Sequence, residues 1–224
     1  MLPSLSTKPA SMNTPIALLT FDAPPLVEVV FGRQFDPLPL TAAHMGLFWQ
    51  RLGREAYPQV QEQPLLPAVV ERFDQDQPSV MEFGDLLASS RLWFTSGTGD
   101  ALVQVQRDRF LVNWRANAMP YPRYAALWPR FNSLWYVFDA FARDEFKLSP
   151  SLRQYEMTYV NHILWDPSWQ DLGEALRRVF PDLAWRADRG ILGSPEHTDI
   201  RFSVRLPREG GRLHLRIQEG RRKA

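Results

Sequence analysis

The side chains best able to do chemistry are few. There are four histidines, His44, His162, His197 and His214, and no cysteine. Without cysteine there is no disulfide framework, no thiolate metal site and no thiol nucleophile, which fits a reducing compartment. No two histidines have the His-x3-His spacing that places two ligands on one helix face, and none lies beside a carboxylate cluster. His197-x-Asp199 puts two ligand types near the start of a strand, a weak metal signal. His44 falls on an apolar helical stripe and reads as a hydrogen-bonded core residue. His162, next to Asn161 in a strand, is the first of the four to mutate.

Short catalytic motifs fail on their surroundings. Glu145-Phe146-Lys147 reproduces a nuclease-type Glu-x-Lys at a helix end, with no acid on a preceding strand. Pro181-Asp182 has no later Glu-x-Lys partner. Arg208 and His214 have a spacing known from helical ribonuclease motifs, but here they flank a hairpin turn. Gly97-x-Gly99 is a turn without a following helix N-terminus to receive a phosphate. No Gly-x-Ser-x-Gly elbow exists. The residues therefore assemble no catalytic set, call for no cofactor or metal, and make an enzyme the less favoured reading.

Two surfaces remain as binding candidates. Residues 201–224 hold eight basic and two acidic side chains, a net of +6; since the whole chain carries +1, residues 1–200 carry −5. With a four-residue turn, Arg201, Ser203, Arg205, Arg212, His214 and Arg216 line one face of a terminal hairpin, where like charges repel unless anions lie close. Phosphate can supply those anions, with affinity falling steeply in salt. The acidic remainder of this chain, or of a second copy, can supply them too, and internal or subunit pairing is favoured. The second surface is a polar sheet face of Trp93, Gln104, Gln106, Arg109, Asn113 and Arg115. Such a face can stack and hydrogen-bond single-stranded bases. Equally, it can be covered by the C-terminal half of the chain or by another subunit.

These faces depend on strand parity. Arg91–Ser96, Ala101–Gln106 and Arg109–Arg115 are three strand-like runs joined by Gly97–Asp100 and by Arg107-Asp108, hairpin connections of usual length. Pairing Gln106 with Arg109 aligns Val105 with Phe110, Val103 with Val112 and Ala101 with Trp114, and sets Phe94 and Leu92 opposite Val103 and Val105. One face then carries Leu92, Phe94, Val103, Val105, Phe110, Val112 and Trp114; a one-residue slip would invert both faces. Upstream, Val27, Val29, Phe31 and Phe35 alternate as in a strand, with Gly32 expected to mark a bulge. A helix is expected from Thr41, its N-cap, to Tyr57, burying Leu40, His44, Leu47, Phe48 and Leu52. Residues 58–90, rich in proline, read as a long connection, part of which is expected to pair as short strands. A second helix is expected from Pro122 to Arg143, with Tyr124, Leu127, Trp128, Phe131, Leu134, Trp135, Phe138 and Phe141 on its apolar side. Residues 91–141 hold 12 of the 28 aromatics, so this helix and the meander form the nucleus of one core. Leu152–Ile163 reads as a strand. Asp166-Pro167 opens a short helix with Trp169, Leu172, Leu176, Val179 and Phe180 on one side. In the last hairpin Ile200, Phe202, Val204 and Leu206 face Leu213, Leu215 and Ile217.

The order of elements predicts an α+β fold: a mainly antiparallel sheet with helices packed on one face, a split βαββαβ-like first part and a C-terminal hairpin. The length of 224 residues allows one large domain or two small ones. The division expected is a flexible leader over 1–23, a core unit over 24–165, and a helix with a basic hairpin over 166–224 packed against it. No apolar run reaches the ~18 residues of a membrane span, and residues 1–20 lack a signal-peptide core. A cytoplasmic protein with no membrane partner is expected. Near-zero net charge gives no global field to steer the chain onto nucleic acid.

Several segments occur together in a familiar order: Pro25-Leu26-Val27-Glu28-Val29-Val30-Phe31, then Val103-Gln104-Val105-Gln106-Arg107-Asp108-Arg109-Phe110, Asn113-Trp114-Arg115, Tyr121-Pro122-Arg123-Tyr124 and Tyr159-Val160-Asn161-His162-Ile163. In these the chain resembles a sporadically distributed, uncharacterised family of prokaryotic proteins. The resemblance covers about residues 24–165 and is most specific in the Gln-rich hairpin running into Asn-Trp-Arg. It implies no activity, cofactor or catalytic residue. Members continue past their last hairpin, so a shortened C-terminus is expected here. The function expected is a non-enzymatic module that binds another protein or a second copy of itself, with nucleic-acid binding through the basic hairpin and the polar face as the alternative.

Overall fold

The computed structural model describes residues 24–71, 73, 80–82, 90–117, 120–183, 193–207 and 210–220. The leader expected over residues 1–23 lies outside them.

Strand β1 (Leu26–Phe35) buries Val29, Phe31 and Phe35 in the core, as its alternation requires. Gly32 marks no bulge: pairing runs unbroken through it on both sides, and the register shifts fall at the two ends of the strand. A Cβ at Gly32 would collide with the side chains of Glu156 and Leu111, so glycine is needed there for space. Helix α1 (Ala42–Leu52) starts at Thr41 with a capping box in which the His44 ring accepts from the Thr41 backbone N–H at 3.2 Å. That role turns His44 away from the core, where it stays half-buried. The buried stripe is therefore Met45, Phe48 and Leu52, and Leu47 is exposed. The helix ends at Gly53, whose φ of +100° stops it short of Tyr57. Tyr57 still packs inward, its carbonyl accepting from Trp49 Nε1 at 2.7 Å.

The proline-rich stretch contributes three short strands, β2 (Gln59–Gln63), β3 (Ala68–Val70) and β4 (Val80–Glu82). The meander follows as β5 (Arg91–Thr95), β6 (Ala101–Gln106) and β7 (Arg109–Arg115). Its register is the expected one: Leu92 opposes Val105, Phe94 opposes Val103, Val105 opposes Phe110, and Ala101 opposes Trp114. Helix α2 (Tyr124–Phe146) begins two residues later than expected, because Arg123 takes a φ of +67° outside the helical region. It also runs past Arg143 to a left-handed cap at Lys147. Strand β8 (Leu152–Asn161) precedes α3 (Leu172–Val179), which Asp171 caps; Asp166-Pro167 forms only a turn ahead of it. Strands β9 (Asp199–Arg205) and β10 (Arg212–Gln218) pair as the terminal hairpin.

Six strands form one antiparallel sheet in the order β2-β5-β6-β7-β1-β8. Because β1 is antiparallel to both β7 and β8, those two run parallel with β1 between them, and α2 makes the crossover. Helices α1 and α2 cover one face of the sheet, which is the α+β arrangement expected. Phe138 of α2 sits at the centre of the ring cluster, with centroids 5.1 Å from Phe110, 5.4 Å from Phe48 and 5.5 Å from Phe35. Such ring pairs add to the burial energy that joins α1, α2 and the sheet into one core. No helix among the described residues is long and apolar enough to cross a membrane.

Candidate functional site

The polar face of the sheet is built by register. Gln63 stands opposite Arg91, and Gln106, Arg109, Gln34 and Gln154 stand opposite one another in turn across four strands. Period-2 alternation places Trp93, Gln104, Asn113, Arg115 and Glu28 on the same side. The structure thus brings the six sheet residues singled out from sequence together, and then closes the face over most of them. Gln104, Gln106, Arg109 and Asn113 are buried, while Trp93 and Arg115 are half-buried. Of the two readings, an open face for stacking bases and a covered one, the covered one holds for these four. Over Gln106 and Arg109 the cover is the chain at Leu66 and Pro67, between β2 and β3, and not the C-terminal half. Gln106 accepts from the Leu66 backbone N–H and donates to its carbonyl, each at 3.0 Å. Arg109 donates to the Pro67 carbonyl at 3.1 Å. The Glu71 N–H donates to Gln154 at 3.0 Å.

Within the face most groups bond one another, while Arg91 Nε and Arg109 Nε are buried with no hydrogen-bond partner among the described residues. Gln104 Oε1 accepts from Arg91 at 3.0 Å and from the Trp93 indole at 2.8 Å, and its amide donates to Asn113 at 2.8 Å. Asn113 and Arg115 both donate to Glu28 Oε1, at 2.7 and 2.9 Å. The guanidiniums of Arg91 and Arg115 lie over the Trp93 ring at 5.4 and 4.9 Å. Burial, and secondarily the like charge of Arg109, holds Arg91 below the ordinary arginine range. This is the chemistry of a polar interior, in which each amide fixes its neighbours' positions.

The basic face of the terminal hairpin forms as expected, with Arg212 opposite Arg205, His214 opposite Ser203 and Arg216 opposite Arg201. Its charges are met from within the chain. Arg201 and Arg216 each grip Asp199 through Nε and Nη2, at 2.9–3.1 Å. These bonds drive the Asp199 carboxyl far below the usual carboxylate range and raise Arg201. Glu71 takes His214 at 2.7 Å and lies 2.8 Å from Arg212, in ion-pair range though not aligned as a hydrogen bond. Arg205 and Arg212 lie over the Phe73 ring at 5.5 and 5.4 Å. Glu71 thus ties the hairpin to the same segment that covers the sheet. The opposite face of the hairpin, with Phe202, Val204, Leu213 and Leu215, is exposed.

The histidines do not converge. His44 caps α1 and meets the Phe146 ring edge-on at 4.8 Å, His162 is exposed, and His197 pairs with Glu219 at 2.9 Å. Among the described residues no three His, Asp or Glu side chains gather to hold a metal ion.

Sequence reasoning missed two features. Arg33 lies on the helix side of the sheet, buried, its guanidinium over Phe131, Trp135 and Tyr155 at 5.1, 4.6 and 5.3 Å and donating to Asn132 at 2.8 Å. Burial lowers its pKa below the ordinary arginine value. Its signal was the gap in the alternation of Val29, Phe31 and Phe35. The second feature is the outer strand β8. Tyr155, Met157 and Tyr159 face the helix side but extend beyond its cover, leaving 62%, 47% and 42% of each exposed beside the exposed Tyr136 of α2. Leu152 at the start of the strand, Leu148 before it, and Ile163 and Leu164 after it are exposed as well.

Comparison of the chain with family models, with curated proteins and with solved structures returns no match.

Proposed function

We propose that this protein is a non-enzymatic interaction module that docks against another protein, a second copy of itself included. The observation that carries this reading is the contrast between its surfaces. The polar groups that looked free in the sequence are engaged inside the chain, whereas tyrosine, methionine and aliphatic side chains along β8 and the outer face of the hairpin remain uncovered. Contiguous apolar surface of this kind marks interaction sites. Cytoplasmic location fits the absence of cysteine and belongs to the same proposal.

Light scattering on a sizing column, across a range of protein concentrations, together with affinity capture from the native host, tests this. The expected result is a mass above 25.9 kDa or a stoichiometric protein partner. A strict monomer that captures nothing refutes it.

A further inference from the structure

We infer that β8 is the seam of a homodimer, two copies pairing antiparallel through this strand about a twofold axis at Met157, so that the two six-stranded sheets become one. This rests on the reading of the protein as an interaction module and names its partner and its contact.

Among the described residues β8 ends the sheet, with no strand paired on its outer side. An outer strand offers a row of backbone donors and acceptors, and proteins blunt such edges with short length, charged side chains, proline, bulges or a covering loop. Strand β8 is ten residues long and contains neither lysine nor proline, and its two charged residues are engaged within the chain, Arg153 with Asp36 and Glu156 with Gln34 and Arg109. Its pairing with β1 is irregular only at its ends, leaving Gln154–Val160 as a regular stretch. The midpoint of that stretch is Met157.

Self-pairing at this midpoint is complementary. In an antiparallel pair the partners point to the same side of the sheet. Met157 then meets Met157 of the second copy, Tyr155 meets Tyr159 and Glu156 meets Thr158. No like charges stand opposite each other. A centre at Glu156 would set two carboxylates face to face, and centres at Tyr155 or Thr158 leave more of the regular stretch unpaired. On the helix side the exposed Tyr155, Met157 and Tyr159 of both copies merge into one strip of six large side chains. The same axis carries Ile163 and Leu164 of one copy towards Leu152 and Leu148 of the other, so exposed aliphatics at opposite ends of the strand become neighbours.

The chain has no cysteine, so one introduced thiol reports the register directly. The Met157→Cys protein is purified reduced and then oxidised mildly. Cross-strand Cβ atoms lie about 4.5–5.5 Å apart, within reach of a disulfide after small adjustment. The expected result is a covalent dimer from Met157→Cys, none from Tyr155→Cys or Tyr159→Cys alone, and a mixed dimer when those two are combined. Leu47→Cys, an exposed site on α1, serves as the collision control and stays unlinked. In parallel, Met157→Arg is expected to halve the mass seen by light scattering and to keep the wild-type circular dichroism. A wild-type dimer whose Met157→Cys form links no faster than Leu47→Cys overturns the seam while leaving the interaction module standing. So does a monomer that binds a different host protein. A monomer with no partner overturns both.

Discussion

Replacing Gln104 with leucine tests whether the polar face is structural. Leucine matches glutamine closely in bulk, so the change removes hydrogen bonds without opening a large cavity. Three contacts go: those from Arg91 and from the Trp93 indole, and the one to Asn113. Arg91 and Trp93 are half-buried and recover part of their loss from water, but Asn113 is buried and its carbonyl oxygen is left without a partner. Stranding one buried polar atom costs about 1–3 kcal/mol, and each weakened contact to a half-buried donor about 0.5 kcal/mol, so the expected loss is about 2–4 kcal/mol. That is a large share of the ~5–15 kcal/mol that holds a typical domain folded. Urea unfolding followed by tryptophan fluorescence reads it as a fall in midpoint at unchanged slope. Since Gln104 and Asn113 share a bond, the double variant Gln104→Leu/Asn113→Leu should cost less than the sum of the two single changes. A loss below ~0.5 kcal/mol, or strict additivity, would refute the closed network and return the face to service as a ligand surface.

Phe138→Ala removes the ring at the centre of the cluster and should cost about 3–5 kcal/mol in the same unfolding experiment, since Phe138 is fully buried among Phe35, Phe48 and Phe110. Tyr121, raised to about 12 by burial and by its hydrogen bond with Tyr159, should give an ionisation step near that pH in an ultraviolet titration, and Tyr121→Phe should delete it. Its raised value favours the neutral phenol in the folded state. The corresponding stability is complete below the ordinary tyrosine value near 10 and is lost as pH rises from there to about 12. Asp199→Asn with Glu71→Gln should release the basic hairpin face and bring on salt-dependent oligonucleotide binding, read by fluorescence anisotropy at two salt concentrations; equal binding by the parent protein would contradict the internal pairing.

How much of this was legible depended on which force set each feature. The meander register followed from loop length and side-chain parity, both local, and so did the pairing of Leu213, Leu215 and Ile217 in the last hairpin. Short strands were expected within residues 58–90, but the place of β2 was hidden because Gln-Val-Gln-Glu-Gln has one apolar residue and its exposed side chains give no alternation to read. What closes the polar face over Gln106 and Arg109 was hidden for a different reason. The groups that meet Gln106 and Arg109 are backbone atoms of Leu66 and Pro67, and backbone carries no sequence signal. The α1 stripe missed by one position because His44 was counted as core, whereas the capping bond to Thr41 holds its ring towards the helix start. Exposure of Tyr155, Met157 and Tyr159 could not be foreseen from the strand alone, since a strand's neighbours decide whether it lies inside a sheet or ends it.

The terminal hairpin shows why charge density alone is a poor guide to a ligand. Arg201, Arg205, Arg212 and Arg216 read together as four phosphate contacts, which would give a salt slope of about −3.6 at −0.9 per contact. In the fold, two of them share the Asp199 carboxylate through four hydrogen bonds and a third lies against Glu71. A phosphate arriving at Arg201 or Arg216 exchanges one anion for another and leaves Asp199 facing added negative charge. Of the four, only Arg205, stacked on Phe73, has no carboxylate partner among the described residues, so these arginines together should contribute about −0.9 to the slope rather than −3.6. The carboxylates quench the stripe without hiding it: Arg201, Arg205 and Arg216 stay exposed on one face of the hairpin, as Phe202, Val204, Leu213 and Leu215 do on the other. Glu71 ties the charged face to the rest of the chain only at Arg212 and His214. The two faces therefore differ in the charge left to satisfy rather than in access, and an anion that reaches the arginines still finds two of them already holding Asp199.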